Sequence, residues 1–229
     1  MKSELLYHRE GVPGEARRVR IFLRGQLQGM GFRPFIYNLA QGMGLKGWVR
    51  NSPQGVLLEA EGDFLHLQNF IRHIRKEAPP QAQIQEMETR FLDSLGYDAF
   101  TIAPSEEQEG ANLFIMPDTA TCSDCLDEIF DSNNRRYLYP FTHCIQCGPR
   151  FSIIESLPYD RERTAMKSFT MCEPCKEEYQ NPEDRRFHSQ SNSCAECGPQ
   201  LELWGAKGNI LSARHNALKG AVKAIREGA

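Results

Sequence analysis

Eight cysteines stand in four C-x-x-C pairs: Cys122/Cys125, Cys144/Cys147, Cys172/Cys175 and Cys194/Cys197. Eighteen residues separate the first pair from the second, and eighteen the third from the fourth, so the unit recurs at a period of 50. Two residues between cysteines let one tight turn aim two sulfurs at one metal, and a second such knuckle completes a tetrahedron of four thiolates. The flanks repeat as well. Arg135-Arg136-Tyr137 aligns with Arg185-Arg186-Phe187, and Cys147-Gly148-Pro149 with Cys197-Gly198-Pro199, as two copies of one supersecondary unit would. Disulfides would need an oxidising compartment, and redox pairs do not come as two matched quartets. The spacing predicts two structural four-cysteine zinc sites, with the short local loop favouring closure within each unit; such closed sites fold the segment rather than do chemistry. Eight thiolates on two Zn2+ carry a local charge of −8 + 4 = −4. Arg135, Arg136, Arg185 and Arg186 either offset that charge or stand as solvated pairs. His143 and His188 lie close enough to be substitute ligands.

A second chemistry is written near the start. Gly25-Gln26-Leu27-Gln28-Gly29-Met30-Gly31 is a turn with three glycines, followed at once by a helical pattern. Glycines let backbone N–H groups converge into a concave nest, and a helix N-terminus adds positive potential, a combination that binds phosphate. Arg33 sits at the head of the helix, where a guanidinium can take two phosphate oxygens in a fork. Asn51 ends a later strand that can point to the same place. On spacing alone, a glycine-rich turn with Arg33 on the surface fits equally.

These residues need a frame to hold them. Val19, Ile21 and Leu23 alternate with Arg20, Phe22 and Arg24, the period of a strand. Phe32, Phe35, Ile36, Leu39, Ala40 and Met43 lie on one face of a helix, with Pro34 in its first turn and Gly42 and Gly44 at its end. Lys46–Asn51 and Val56–Glu61 flank the turn Ser52-Pro53-Gln54-Gly55 as a hairpin. Leu67, Phe70, Ile71 and Ile74 mark a second helix, stopped by Pro79-Pro80. Extended chain follows at Ile84–Leu92 and Ala99–Ile102. The order β-α-β-β-α-β is the split-βαβ, ferredoxin-like pattern of an α+β domain. The polar stretch PSEEQEGAN, 104–112, reads as a linker. Leu201–Trp204 with Ile210-Leu211 suggests a small hairpin, and Ala217, Leu218, Ala221, Val222 and Ile225 one last helix.

Composition narrows the classes. Lys plus Arg number 27 against 30 Asp plus Glu among 229 residues, a net charge of −3, which counts against a basic nucleic-acid binder. No apolar run reaches the ~18 residues of a membrane span, and the opening MKSELLYHREGVPGEARR lacks the apolar segment of a secretory signal. A cytoplasmic protein is expected. His66 and His73 fall on the polar side of the second helix, and Tyr137, Tyr139 and Phe141 are expected to form the small core of the zinc region.

Gly25-Gln26-Leu27-Gln28-Gly29-Met30-Gly31-Phe32-Arg33, with the later Gly44-Leu45-Lys46-Gly47-Trp48-Val49-Arg50-Asn51, resembles the acylphosphatase signature G-x-V-Q-G-V-x-F-R followed by G-x-x-G-x-V-x-N. Leu27 and Met30 replace two valines of that pattern. The zinc region, with YPFTHCIQCGPRFSII, LPYDRERTAM and PEDRRFHSQ, is similar to that of HypF-type carbamoyltransferases of NiFe-hydrogenase maturation. The resemblance covers about residues 18–204. It implies an extension over 1–17, an acylphosphatase-like domain over 18–103, a linker over 104–116, a tandem zinc-finger domain with four cysteines per finger over 117–204 (fingers 122–147 and 172–197), and over 205–229 the start of a YrdC-like domain. By that reading the chain is an N-terminal fragment.

The resemblance further implies hydrolysis of carbamoyl phosphate. Gln28, Gly29, Met30, Gly31, Phe32 and Arg33 would bind the phosphoryl group, and Asn51 would orient the attacking water beside Arg33. Zinc would occupy both four-cysteine sites, while ATP and Mg would belong to domains further on; no G-x-x-x-x-G-K-S/T loop occurs here. A HypE-like maturation protein is the implied partner, without nucleic acid or membrane. The competing reading is a zinc-finger binding module for protein or nucleic acid with a vestigial cradle.

Overall fold

The computed structural model describes residues 16–106 and 118–228. The chain divides into two compact units, Met1–Pro117 with Ser156–Asp160, and Asp118–Glu155 with Arg161–Ala229. Most of the expected N-terminal extension and of the 104–116 linker lies outside the described residues.

The first unit runs β1 (Ala16–Gln26), α1 (Phe32–Gly42), β2 (Lys46–Ser52), β3 (Gly55–Asp63), α2 (Phe64–Lys76), β4 (Gln83–Asp93) and β5 (Phe100–Ile102). The sheet has the order β4-β1-β3-β2-β5. β1 lies antiparallel to β3 and β4, with Val19 opposite Ala60; β2 and β3 close as a hairpin with Ser52 opposite Gly55; β5 joins β2 in parallel. The period-2 residues Val19, Ile21 and Leu23 all face the helices and are fully buried, as are Ile36 and Ala40 of α1 and Leu67, Phe70 and Ile74 of α2. Each of the larger side chains among these stabilises the fold by roughly 1.5–3 kcal/mol relative to exposure. α2 starts where Asp63 accepts from the backbone N–H of Leu65 at 2.9 Å, an N-cap that satisfies one orphan donor.

The opposite face of the sheet carries two buried carboxylates, Glu59 and Glu61. Glu59 accepts from Arg18 at 2.7 Å, from Arg20 at 2.6 Å and from the Tyr97 hydroxyl at 2.6 Å. Burial alone would raise its pKa; the hydrogen bonds from Tyr97, Arg18 and Arg20 outweigh burial and hold it below the ordinary value. Neighbouring Glu61 takes the backbone N–H groups of Leu95, Gly96 and Tyr97 and so ties the β4–β5 connection to the sheet.

The second unit is built on α3 (Ser123–Phe130) and α4 (Glu173–Gln180), each entered directly from the first cysteine of a quartet. It continues through the hairpin β6 (Glu202–Trp204) and β7 (Ile210–Ala213) to α5 (Arg214–Arg226). The repeat extends to the backbone. Leu138 and His188, fifty residues apart, both adopt left-handed φ, 55° and 51°, and donate their N–H groups to Ile129 O and Tyr179 O.

Candidate active site and metal centres

The glycine loop between β1 and α1 turns on two left-handed residues, Gly29 at φ 78° and Gly31 at φ 67°, conformations that a side chain at Cβ disfavours. Gly31 is the N-cap of α1 and supplies no side-chain acceptor, so the first-turn N–H groups face the loop with the helix dipole behind them. Met30 and Phe32 are buried, and Phe32 anchors the end of the loop in the apolar core. The Gln28 side chain is a strut: its Nε2 donates to Ser52 O at 3.0 Å and Gly55 O at 3.1 Å. It ties the loop to the β2–β3 turn and leaves the loop backbone to meet a ligand.

Arg33 and Asn51 meet beside this loop, the first 9% and the second 1% exposed. With the Asn51 amide oxygen turned to Arg33, it accepts from Nε at 3.3 Å and Nη2 at 3.2 Å. Of the two readings left open by spacing, the surface arginine is set aside by this burial. The unit adds three groups that no local pattern announced. Arg33 Nη1 pairs with Asp160 at 2.8 Å and reaches Ser105 Oγ at 3.4 Å, and Nη2 donates to Tyr159 O at 3.3 Å. The Tyr159 N–H donates in turn to Gln28 Oε1 at 3.1 Å. Asp160 stands 127 residues after Arg33, in the interval between the two quartets where the repeat is silent.

The cysteines form two clusters, Cys122, Cys125, Cys144 and Cys147 in one and Cys172, Cys175, Cys194 and Cys197 in the other, with all sulfurs of a cluster within 4.8 Å. Knuckles therefore pair within units. Individual separations run 3.6 Å for Cys122–Cys144, 3.9 Å for Cys144–Cys147, 3.7 Å for Cys172–Cys194, 3.8 Å for Cys194–Cys197 and 3.6 Å for Cys175–Cys197. A tetrahedron with metal–sulfur bonds of about 2.3 Å has edges of about 3.8 Å, so the donor set fits zinc. His143 is not in either cluster; its Nδ1 lies 2.6 Å from Ser191 Oγ. His188 is likewise outside both clusters.

The arginine pairs are not solvated. Each belongs to one finger and serves the other. Arg135 reaches Cys175 Sγ at 3.3 Å, and Arg185 reaches Cys125 Sγ at 3.0 Å. Arg136, 2% exposed, takes Glu178 at 2.6 Å, Ser193 O at 3.0 Å and Asn192 Oδ1 at 3.1 Å. Arg186, 3% exposed, takes Glu128 and His143 O. Burial alone would raise Glu178; hydrogen bonds from Arg136 and Arg135 win and hold its carboxyl at about 2. Tyr139 is buried, its hydroxyl 3.3 Å from Ser193 Oγ; Phe141 packs edge-on against it at 5.7 Å but stays partly exposed, as does Tyr137.

A ferredoxin-like sheet with this loop, followed in the chain by a unit of two paired cysteine knuckles, defines an acylphosphatase domain joined to a tandem finger region. The acylphosphatase family matches residues 19–102, and the HypF finger matches 121–154 and again 171–204. Over the part it spans, the chain is similar to the N-terminal region of HypF carbamoyltransferases. It is 45% identical over 212 residues to carbamoyltransferase HypF of Synechocystis sp., covering 93% of this chain and 28% of that one. It is 48% identical over 154 residues to HypF2 of Cupriavidus necator, covering 66% and 19%. Among solved structures, full-length HypF in its phosphate- and nucleotide-bound form superposes with a TM-score of 0.83 at 40% identity, over 96% of this chain and 28% of that one. HypF of T. kodakarensis gives 0.79 at 39%, over 93% and 26%. The chain thus spans between about a fifth and little more than a quarter of the relatives it matches. The finger match and the two four-cysteine clusters together support structural zinc. No helix among the described residues is long and apolar enough to cross a membrane.

Proposed function

We propose that the first unit hydrolyses acyl phosphates, with carbamoyl phosphate as its substrate, inside a carbamoyltransferase that makes the cyanide ligands of NiFe-hydrogenase. The observation that carries this reading is the meeting of buried Arg33 and Asn51 at 3.2–3.3 Å beside the uncapped N-terminus of α1. The phosphoryl group lies in the loop Gln28–Arg33, held by the N–H groups of Gly29, Met30, Gly31 and Phe32, with Arg33 on its non-bridging oxygens. Asn51 orients a water through its amide. The water oxygen attacks phosphorus, the bond from phosphorus to the acyl oxygen breaks, and carbamate and inorganic phosphate leave with one proton released. An acyl phosphate already has a good leaving group, so positioning and fixed dipoles are enough to accelerate this step.

The eight cysteines hold two zinc ions in a structural role. In the full-length protein, ATP and Mg serve domains beyond those described here, a HypE-like maturation protein receives the carbamoyl group, and the machine works in the cytoplasm without membrane or nucleic acid. By the same reading, 18–103 is the hydrolase domain, 117–204 the finger domain and 205–229 the start of a YrdC-like domain.

The test is steady-state hydrolysis of carbamoyl and benzoyl phosphate, with inorganic phosphate as competitive inhibitor. Turnover that Arg33→Ala abolishes, with loss of phosphate inhibition, supports the assignment. Absence of turnover, or turnover indifferent to Arg33, overturns it.

A further inference from the structure

Arg33 has five N–H bonds, and every one is aimed at a protein acceptor. Nε and one N–H of Nη2 face Asn51, the other N–H of Nη2 faces Tyr159 O, and Nη1 faces Asp160 and Ser105. A guanidinium binds phosphate through two parallel N–H bonds on one edge. The Nε/Nη2 edge is taken by Asn51, and the Nη1/Nη2 edge by the carboxylate of Asp160 and the carbonyl of Tyr159. A phosphate can gain a bidentate grip only by displacing one of these acceptors. Asp160 is the chemically equivalent one, an anion at 2.8 Å on a side chain only 22% exposed. A carboxylate left in place beside a phosphate dianion would repel it.

We infer that Asp160 is a built-in competitor for the phosphate subsite: its carboxylate holds the place of the ligand on Arg33, and the segment Ser156–Asp160 must yield that edge before an acyl phosphate binds fully. This inference rests on the hydrolase reading above. The segment is suited to the part. Its bond to the cradle strut, from Tyr159 N–H to Gln28 Oε1, is neutral, whereas its hold on Arg33 is charge-assisted. Removing the charge therefore weakens the closed arrangement without touching the loop backbone that cradles the phosphate. A carboxylate that merely orients Arg33 would act with the opposite sign, because its loss would loosen the arginine and weaken phosphate binding.

The experiment measures the inhibition constant of inorganic phosphate, and KM for carbamoyl phosphate, in wild type, Asp160→Asn, Asp160→Ala and Asp160→Glu. A partly exposed ion pair is worth up to about 1 kcal/mol, so competition predicts that Asp160→Asn and Asp160→Ala tighten phosphate by roughly two- to fivefold. KM should fall in parallel, and Asp160→Glu should stay near wild type because it keeps the anion. Unchanged or weaker phosphate inhibition in both neutral variants, with thermal unfolding like wild type, overturns the competition while leaving the hydrolase reading intact. Failure of every variant and of wild type to bind phosphate overturns that reading, and the competition with it.

Discussion

Arg185 places Nη1 3.0 Å from the sulfur of Cys125, a candidate metal ligand sixty residues away in the other finger. The relation is mirrored by Arg135 and Cys175 at 3.3 Å. A guanidinium donating to a thiolate disperses charge that four sulfurs on one divalent ion leave uncompensated, and such outer partners tune the metal they do not touch.

Arg185→Gln should therefore weaken metal retention in the first cluster, and Arg135→Gln in the second, by about 10- to 100-fold. Cysteine alkylation under chelator challenge, read peptide by peptide by mass spectrometry, checks this. In Arg185→Gln, Cys122, Cys125, Cys144 and Cys147 should be labelled first. Labelling that began in the finger carrying the substitution would show that the exchange does not govern the metal.

Metal removal should divide the molecule. Freshly purified, reduced protein is expected to hold two zinc ions, and binding free energy at such sites is folding free energy. Chelation should abolish hydrogen-exchange protection in α3 and α4 while α1, α2 and the five-stranded sheet keep theirs. The sheet has its own apolar core of Val19, Ile21, Leu58, Phe70 and neighbours, which needs no metal. Equal loss in both units would contradict this.

Much of that division is legible in the sequence, because ligand spacing and hydrophobic period are local signals. The face Phe32, Phe35, Ile36, Leu39, Ala40 predicts α1, and two identical quartet spacings predict two clusters. The helices α3 and α4 escape such reading. They are eight residues each, begin at a cysteine, and are held by sulfur positions and by the packing of one finger on the other rather than by a long apolar stripe. The arginine pairs escape it as well: a charged doublet looks solvated until its partner is known, and the partners lie in the other repeat. Asp160 is hidden for the same reason. Nothing near LPYDR marks it as a neighbour of Arg33, since chain separation of that size carries no period.

Asn51→Ala should separate turnover from binding. With its amide gone, water is no longer oriented, and kcat should fall on the order of 10²–10³, the usual effect of losing one preorganised donor. Inhibition by phosphate should stay within a few-fold. Arg33→Lys keeps charge but loses the fork, so its phosphate binding should be as weak as that of Arg33→Ala. Wild-type turnover in Asn51→Ala would show that its role is wrongly assigned.

Glu59 should give the first unit an acid-sensitive term. Its folded pKa is lowered, so its contribution is fully present above the unfolded value of about 4.3. It is lost as pH falls through the lowered folded value. Glu59→Gln should leave Arg18 and Arg20 without their shared anion and lower stability by about 1–3 kcal/mol near neutral pH. The deficit should shrink steadily below about pH 4. Denaturant titrations of the whole chain at several pH values, followed through the sheet, check both; a deficit independent of pH would assign the loss to packing instead.

The exchange of arginines between fingers has the form of an isologous contact, in which the same patch on each half grips its counterpart. A finger excised alone would carry Arg135 and Arg136 with no sulfur or glutamate to hold, and Glu128 with no arginine to claim it. Two excised copies could satisfy one another by the very bonds seen here. The tandem chain is in effect a homodimer written as one polypeptide: its connector replaces a bimolecular dissociation constant with a local concentration, of order millimolar for a short tether. The assembled pair consequently persists at any dilution the cell imposes, and the two halves are free to diverge in sequence wherever symmetry is not needed, as Tyr137 and Phe187 already have.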